Sequence, residues 1–315
     1  MDFESPTFRT RETASSRSKP EPNARHSPAH SFALPVSLRL SWRGWECQNP
    51  DCGFRRPLRR LFYRRDIKDG IFLQNRWYCC LDCFQQAITP IFAHMIKLPD
   101  QPLLRPRRIP LGLLLLGRGV ITEPQLRLAL RTQRDSGNER LGRSLIRLGI
   151  VSVDDVSAAL AAQWGCAVFP LERDRRYRQC CHMVPLALLE AAQMVPVHYL
   201  EETHLLFLAF SRDVDHTTLY SIERLIGSRT EPCVVSESAM DDALDEIRAA
   251  SRPAEIVFET IRDSREMART IRDYAVKFGA EELFIARPRR FLWVRLKAHG
   301  QTFDLMFRLP ETGIS

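Results

Sequence analysis

The apolar pattern of the chain repeats itself. Residues 111–133 read LGLLLLGRGVITEPQLRLALRTQ, and residues 141–163 read LGRSLIRLGIVSVDDVSAALAAQ. Aligned without a gap, Leu111/Leu141, Gly112/Gly142, Leu115/Leu145, Leu116/Ile146, Gly119/Gly149, Ile121/Val151, Thr122/Ser152, Leu126/Val156, Ala129/Ala159, Leu130/Leu160 and Gln133/Gln163 coincide. The positions between them are mostly polar or charged. A duplication of this kind predicts two equivalent units that pack together. In each unit an apolar helical turn ends at a glycine, a helix stop. Thr122 or Ser152 then starts a second helix. Thr122 has Glu123 and Pro124 in the first turn and Gln125 three residues on, the pattern of a capping box. Ser152, followed by Asp154 and Asp155, does the same in the second unit. Leu126, Leu130 and Gln133 fall on one helical face.

Elsewhere the pattern changes. Residues 1–42 are rich in Ser, Pro, Arg and Glu with few apolar residues, and read as disordered. Residues 43–95 hold five of the nine cysteines, and the linker 96–107 follows. Between 166 and 248, MVPVHYL, HLLFLAF and EPCVVS read as strands. In the same stretch DHTTLYSIERLIG reads as a helix ended by Gly227, and SAMDDALDEI as another. A second linker occupies 249–253. The segment 254–315 opens with a helix, SREMARTIRDYAVKFG. RFLWVRLKA and TFDLMFRL then predict a hairpin turning at His299-Gly300.

Composition narrows the partners. The net charge is +8, and arginine supplies most of the positive side, which suits anionic ligands. The first thirty residues lack the apolar core of a signal peptide. The longest apolar run, IPLGLLLLG, is too short to span a bilayer. These features predict a cytoplasmic protein with no membrane insertion, and cysteines used as metal ligands or buried thiols. Cys47 and Cys52 form one pair; Cys79, Cys80 and Cys83 follow after about 26 residues. Two such pairs can supply a tetrahedral thiolate site for zinc. Either Cys79 with Cys83 or Cys80 with Cys83 completes it. Cys166, Cys180, Cys181 and Cys233 lie in apolar contexts and read as core thiols. The basic stretch FRRPLRRLFYRRDIK can meet nucleic acid, an acidic protein or only solvent. No G-x-x-x-x-G-K-[ST] occurs, and no Ser/His/Asp order or paired acidic cleft points to hydrolysis. A non-enzymatic role is therefore expected.

The duplicated unit has two readings. The hairpins can stack for stability alone, with Gln133 and Gln163 as solvated helix ends. Alternatively, paired glycines and glutamines with an arginine can hold a ligand that has two similar halves. The spacing resembles the MshEN domain at the N-terminus of type II secretion and type IV pilus assembly ATPases. Its hallmark is a tandem R-L-G-x-x-L-[LVI]-x-x-G motif closed by L-x-x-x-L-x-x-Q. The resemblance is strong over 111–163 and looser through 248. It implies cyclic di-GMP as ligand and secretion or pilus machinery as partner. Arg140, Leu141, Gly142, Leu145, Gly149 and Gln163 match the second motif. Leu111, Gly112, Leu115, Gly119 and Gln133 match the first, whose leading arginine is replaced by Pro110. That replacement implies weakened or lost binding, although Arg107 and Arg108 lie nearby in sequence. WYCCLDC resembles the end of FCS-type treble-clef fingers, and that resemblance selects Cys79 as ligand with Cys80 spare. The segment DYAVKFGAEELFIARPRRFLWVRLKAHGQ resembles the second N-terminal domain of the same ATPases, with its Ser-Asp-Ile-His-Glu chemistry replaced by AEELFIA.

These readings predict an α+β multidomain chain. A zinc knuckle (43–95) precedes an MshEN-like domain (108–248), made of a helical repeat pair plus an α/β subdomain, and a small C-terminal α/β domain (254–315). The function expected is that of a regulatory adaptor. A ligand-free interaction scaffold and a zinc-containing nucleic-acid binder are the alternatives, with nucleic acid the less favoured partner.

Overall fold

The structure, a computed structural model, describes residues 47–52, 70–98, 108–137, 139–250, 255–259 and 263–309, all within one unit, Arg43–Ser315. The segment read as disordered, the basic stretch after Gly53 and most of both linkers lie outside these residues.

The cysteine-rich segment forms a short hairpin, β1 (Ile71–Leu73) and β2 (Arg76–Tyr78), followed by helix α1 (Leu81–Lys97). Gln74 and Asn75 both have positive φ, 48° and 66°, as a two-residue turn of this hand requires. The repeat forms four helices: α2 (Leu111–Gly117), α3 (Glu123–Asp135), α4 (Leu141–Arg147) and α5 (Val153–Trp164). Strand β3 (Ala167–Val168) and a helical turn α6 (Tyr177–Cys180) lead to α7 (Leu186–Ala192), β4 (Met194–Leu200) and β5 (Leu205–Phe210). Then come α8 (His216–Ile226), β6 (Arg229–Val234) and α9 (Glu237–Ala249). Strand β7 (Glu255–Phe258), helix α10 (Ser264–Phe278) and strands β8 (Glu282–Ala286), β9 (Phe291–Ala298) and β10 (Gln301–Arg308) finish the described chain.

The strands make two mixed sheets. One has the order β3-β6-β5-β4, with β5 and β6 parallel and β4 antiparallel to β5. The other has the order β2-β1-β8-β9-β10-β7. Its centre is the expected hairpin, with Ala298 opposite Gln301 across His299 and Gly300. Gly227 closes α8 in the left-handed conformation, as expected, and Gly279 closes α10 in the same way.

The cysteine-rich segment and the C-terminal segment, separate along the chain, join in this second sheet. Strand β1 pairs in parallel with β8, Phe72 opposite Glu282 and Leu73 opposite Leu283. One core runs through both: Phe84, Ile88 and Phe92 of α1 with Ile271 and Ala275 of α10 and Leu296 and Phe307 of the sheet. Each segment supplies about half of the buried residues of this core, and a larger shared core buries a greater fraction of its surface than two small ones. The four-stranded sheet has its own core, into which Phe291, Trp293 and Met306 intrude from the neighbouring sheet. Polar contacts pin the two together. The Glu255 carboxylate accepts from the amides of Leu186 (2.7 Å) and Ala187 (3.0 Å), the unsatisfied donors at the start of α7. Arg295 forms a two-pronged pair with Asp304 and donates to the Met183 carbonyl at 2.8 Å. Arg289 pairs with Asp215, the N-cap of α8. The repeat keeps a third, separate core of Leu115, Ile121, Leu126, Ala129, Leu145, Val151, Val156 and Ala159.

Candidate functional site: an interlocked repeat and a four-thiol cluster

The two repeat units fold alike. In each, the first helix stops in the same hydrogen-bonded turn. Gly119 (φ 70°) donates to Leu116 O at 3.0 Å and Val120 donates to Leu115 O at 3.0 Å. Gly149 (φ 66°) donates to Ile146 O at 2.9 Å and Ile150 donates to Leu145 O at 3.0 Å. A non-glycine residue would be strained at either position. Both second helices carry the capping box. The Thr122 amide donates to Gln125 Oε1 at 2.8 Å, and the Ser152 amide donates to Asp155 Oδ2 at 2.9 Å.

The units interlock rather than stack. A Cβ on Gly112 would lie 2.6 Å from Leu126 Cδ1 and 3.0 Å from Leu141 Cδ2. A Cβ on Gly142 would lie 3.0 Å from Val156 Cγ1 and 3.4 Å from Leu111 Cδ2, the residues that correspond to Leu126 and Leu141. Each glycine is thus the hole that receives the other unit's first leucine. The glutamines obey the same exchange. Gln133 Nε2 donates to Glu139 O at 2.9 Å, and Gln163 Nε2 donates to Ile109 O at 2.6 Å. Each glutamine holds the start of the opposite unit, so neither is merely a solvated helix end. Reciprocal contacts of this kind imply an approximate two-fold relation between the units.

The candidate residues divide by depth. Gly112, Leu115, Gly142 and Leu145 are buried, and Leu111, Leu141, Gln133 and Gln163 are half-buried. Gly119, Gly149 and Arg140 are exposed. Arg140 stands at the start of α4 and turns toward the four-stranded sheet's subdomain. Its Nη1 lies 3.4 Å from Glu237 Oε1 on α9, and Arg143 Nε lies 3.6 Å from Glu237 Oε2. Pro110 has the same backbone shape (φ −54°, ψ 141°) as Arg140 (φ −77°, ψ 145°). Arg108 is near enough to the Cys166 thiol for its charge to oppose the upward shift that burial causes there.

The second constellation is made of thiols. Cys47 and Cys52 come from the loop before β1, Cys79 follows β2, and Cys83 lies in the first turn of α1. Their four Sγ atoms all lie within 4.8 Å of one another, and all four residues are buried. Cys52 and Cys79 are 3.5 Å apart, Cys79 and Cys83 3.8 Å. Thiolates about 2.3 Å from a shared tetrahedral centre would sit about 3.8 Å apart. The cluster therefore has the size and donor set of a closed four-sulfur site, with no disulfide among its members. Cys79 belongs to the cluster, and the half-buried Cys80 stands outside it. Burial, reinforced by neighbouring thiols, pushes the Cys79 thiol up, and burial pushes Cys83 up to about 12 against the pull of the Asn49 side chain. A metal ion would have to displace those protons. Asn49, itself buried, fixes the loop: its Nδ2 donates to Gln86 Oε1 at 2.7 Å and its Oδ1 accepts from the Asp51 amide at 3.2 Å.

Sequence reasoning did not single out Asn49, Glu139 or Glu237. Only Asn49 left a trace, as a polar residue inside a short cysteine loop. Of the other cysteines, Cys180, Cys181 and Cys233 are buried and Cys166 half-buried. Among the described residues, no helix is long and apolar enough to cross a membrane.

Comparison with known proteins places these observations. Residues 164–254 match the MshEN domain family model. That match covers the α/β subdomain, where the motif resemblance was looser, and begins where the repeat ends. The chain is 26% identical over 134 residues to the type IV pilus assembly ATPase PilB of Thermus thermophilus, a stretch that is 42% of this chain and 15% of that protein. Among solved structures, MshE with cdg is 27% identical with a TM-score of 0.36, covering 44% of this chain and 99% of that one. The N-terminal domain of XpsE is 22% identical with a TM-score of 0.31, covering 43% and 91%. Scores this low do not argue for a shared arrangement.

Proposed function

We propose, from the premise that residues 164–254 carry an MshEN domain, that this chain is a non-enzymatic cytoplasmic regulator. In this reading its repeat receives cyclic di-GMP and its partner is type II secretion or type IV pilus machinery. The observation that carries the reading is the reciprocity of the repeat. Two units of the same backbone design, each fastened to the other by its glutamine, set two related halves before a ligand with two equivalent guanines. Arg140 supplies a guanidinium on one half, where it can stack on a base or hydrogen-bond to guanine. Pro110 leaves the other half without one, so affinity is expected to be modest. Leu111, Gly112, Leu115, Gly119 and Gln133 shape the first half; Leu141, Gly142, Leu145, Gly149 and Gln163 shape the second.

The test is calorimetric titration of the full chain with cyclic di-GMP. Saturable binding is expected; the absence of heat at millimolar nucleotide would leave the ligand-free scaffold as the surviving reading.

Zinc is the metal that fits Cys47, Cys52, Cys79 and Cys83. When bound it supplies a structural cross-link, because four thiolates leave no place for a reacting water. Purified protein should carry about one zinc per chain, by the ligand count of such a site. Cys83→Ser should abolish it, and Cys80→Ser should not. Loss of zinc in Cys80→Ser would move the ligand assignment to that residue. Because the cluster shares its core with α10 and the C-terminal sheet, metal removal should loosen both segments in hydrogen exchange. Loosening confined to the cysteine-rich segment would show that the shared core does not couple them.

A further inference from the structure

The side chains that would greet a ligand on the second half of the repeat already have an anionic partner. Glu237 occupies the first turn of α9, where a negative charge is favoured by the helix N-terminus. Its two carboxylate oxygens face two arginines, Oε1 toward Arg140 at 3.4 Å and Oε2 toward Arg143 at 3.6 Å. The first half has no such arrangement. Its equivalents are Pro110 and Leu113, and Leu113 is 54% exposed. Glu237 lies 97 residues from Arg140 in sequence, on the α/β subdomain rather than the repeat. The contact therefore joins the two parts through the one motif arginine that the chain retains.

We propose that Glu237 is a built-in counter-ligand: it holds Arg140 and Arg143 while the repeat is empty, and an anionic dinucleotide must displace it to bind. The inference rests on the cyclic di-GMP reading above and adds a mechanism to it. Glu237 and the ligand compete for the same guanidinium groups. Binding then breaks a tie between the repeat and α9, and ligand occupancy is reported to the α/β subdomain. All three side chains are partly exposed, so the tie is weak enough for a small ligand to open.

The experiment compares wild type, Glu237→Gln and Asp242→Asn in the full chain. Asp242→Asn removes the same charge from an exposed position of the same helix. Cyclic di-GMP should bind Glu237→Gln about two- to five-fold more tightly than wild type, the scale of one exposed ion pair. Asp242→Asn should match wild type. Without nucleotide, amides of α4 should exchange faster in Glu237→Gln than in either other protein. Binding by wild type with equal affinity in Glu237→Gln would overturn the counter-ligand while leaving the nucleotide reading intact. Equal tightening in both variants would overturn it too, as an effect of net charge. No binding by any of the three would sink the nucleotide reading and the competition together. Unchanged exchange in Glu237→Gln would remove the tie itself, whatever the nucleotide does.

Discussion

The two units of the repeat share the central positions of one core and differ in the residues set around it. Inside, Leu115 and Leu145, Ala129 and Ala159, and Gly112 and Gly142 are interchangeable in their surroundings. Around that core, Ile109, Pro110, Leu113, Leu114 and Gly117 of the first unit stand where the second has Glu139, Arg140, Arg143, the buried Ser144 and Arg147. The second unit uses these for a polar cluster: Glu139 accepts from Ser144 Oγ at 2.8 Å and pairs with Arg147 at 2.8 Å. The first unit leaves Ile109 62% exposed at the same place. The difference teaches how reciprocal packing constrains sequence. A glycine that receives the other unit's leucine cannot change alone, because its partner in the other copy must change too. Outward positions carry no such debt to the twin and have diverged.

The largest test of this comparison lies in the core. Leu115→Ala and Leu145→Ala should each destabilise the repeat by about 2–5 kcal/mol, the cost of a buried leucine and the cavity it leaves. Hydrogen exchange of all four repeat helices should report similar losses for both. A loss confined to the mutated unit would break the claim that the units share one core. Next comes the ligand face. Arg140→Ala should weaken cyclic di-GMP binding by ~1–3 kcal/mol, the scale of a specific guanine contact. Pro110→Arg should strengthen it, since the backbone at Pro110 already has the shape found at Arg140. A weaker Pro110→Arg would mean the outward asymmetry is not what limits affinity.

A smaller effect concerns the glutamines. Gln133→Ala and Gln163→Ala should each lower the thermal stability of the ligand-free repeat by about 0.5–1.5 kcal/mol, one hydrogen bond apiece. Unchanged melting in both would return these residues to a purely ligand-binding role. The smallest separates the caps. Asp155 caps α5 and its carboxyl is held below the usual range by the Ser152 side chain and amide, while Gln125 in the equivalent cap does not titrate. A depressed carboxyl stabilises the fold above its unfolded value, near 3.9, and loses that contribution as pH falls through the folded value. Acidification below about pH 4 should therefore raise exchange at the start of α5 before the start of α3. Simultaneous fraying would show that Asp155 does not set the difference.

Much of the architecture was legible because local rules wrote it. The repeat announced itself by an ungapped match, the end of α8 by Gly227, and the β9–β10 hairpin by His299-Gly300. Strands β7 and β8 were not anticipated. Glu255–Phe258 and Glu282–Ala286 are short, and they become strands only because β10, β1 and β9 lie beside them. The cysteine set was partly legible: spacing gave two candidate ligand sets, and geometry brings Cys79 rather than Cys80 to within reach of Cys47 and Cys52.

What the sequence by itself determined is the set of units: a duplicated helical hairpin, a cysteine loop before a helix, and strands marked by alternation and turn residues. Each depends on contacts within a few residues, which a linear pattern records. Only the tertiary structure decided how those units lean on one another. It placed β1 against β8 across more than two hundred residues, crossed Gln133 and Gln163 to opposite units, and set Glu237 before Arg140. Those pairings follow from which faces remain uncovered once each unit has formed, and burying them satisfies apolar surface and polar groups that no single segment can satisfy alone.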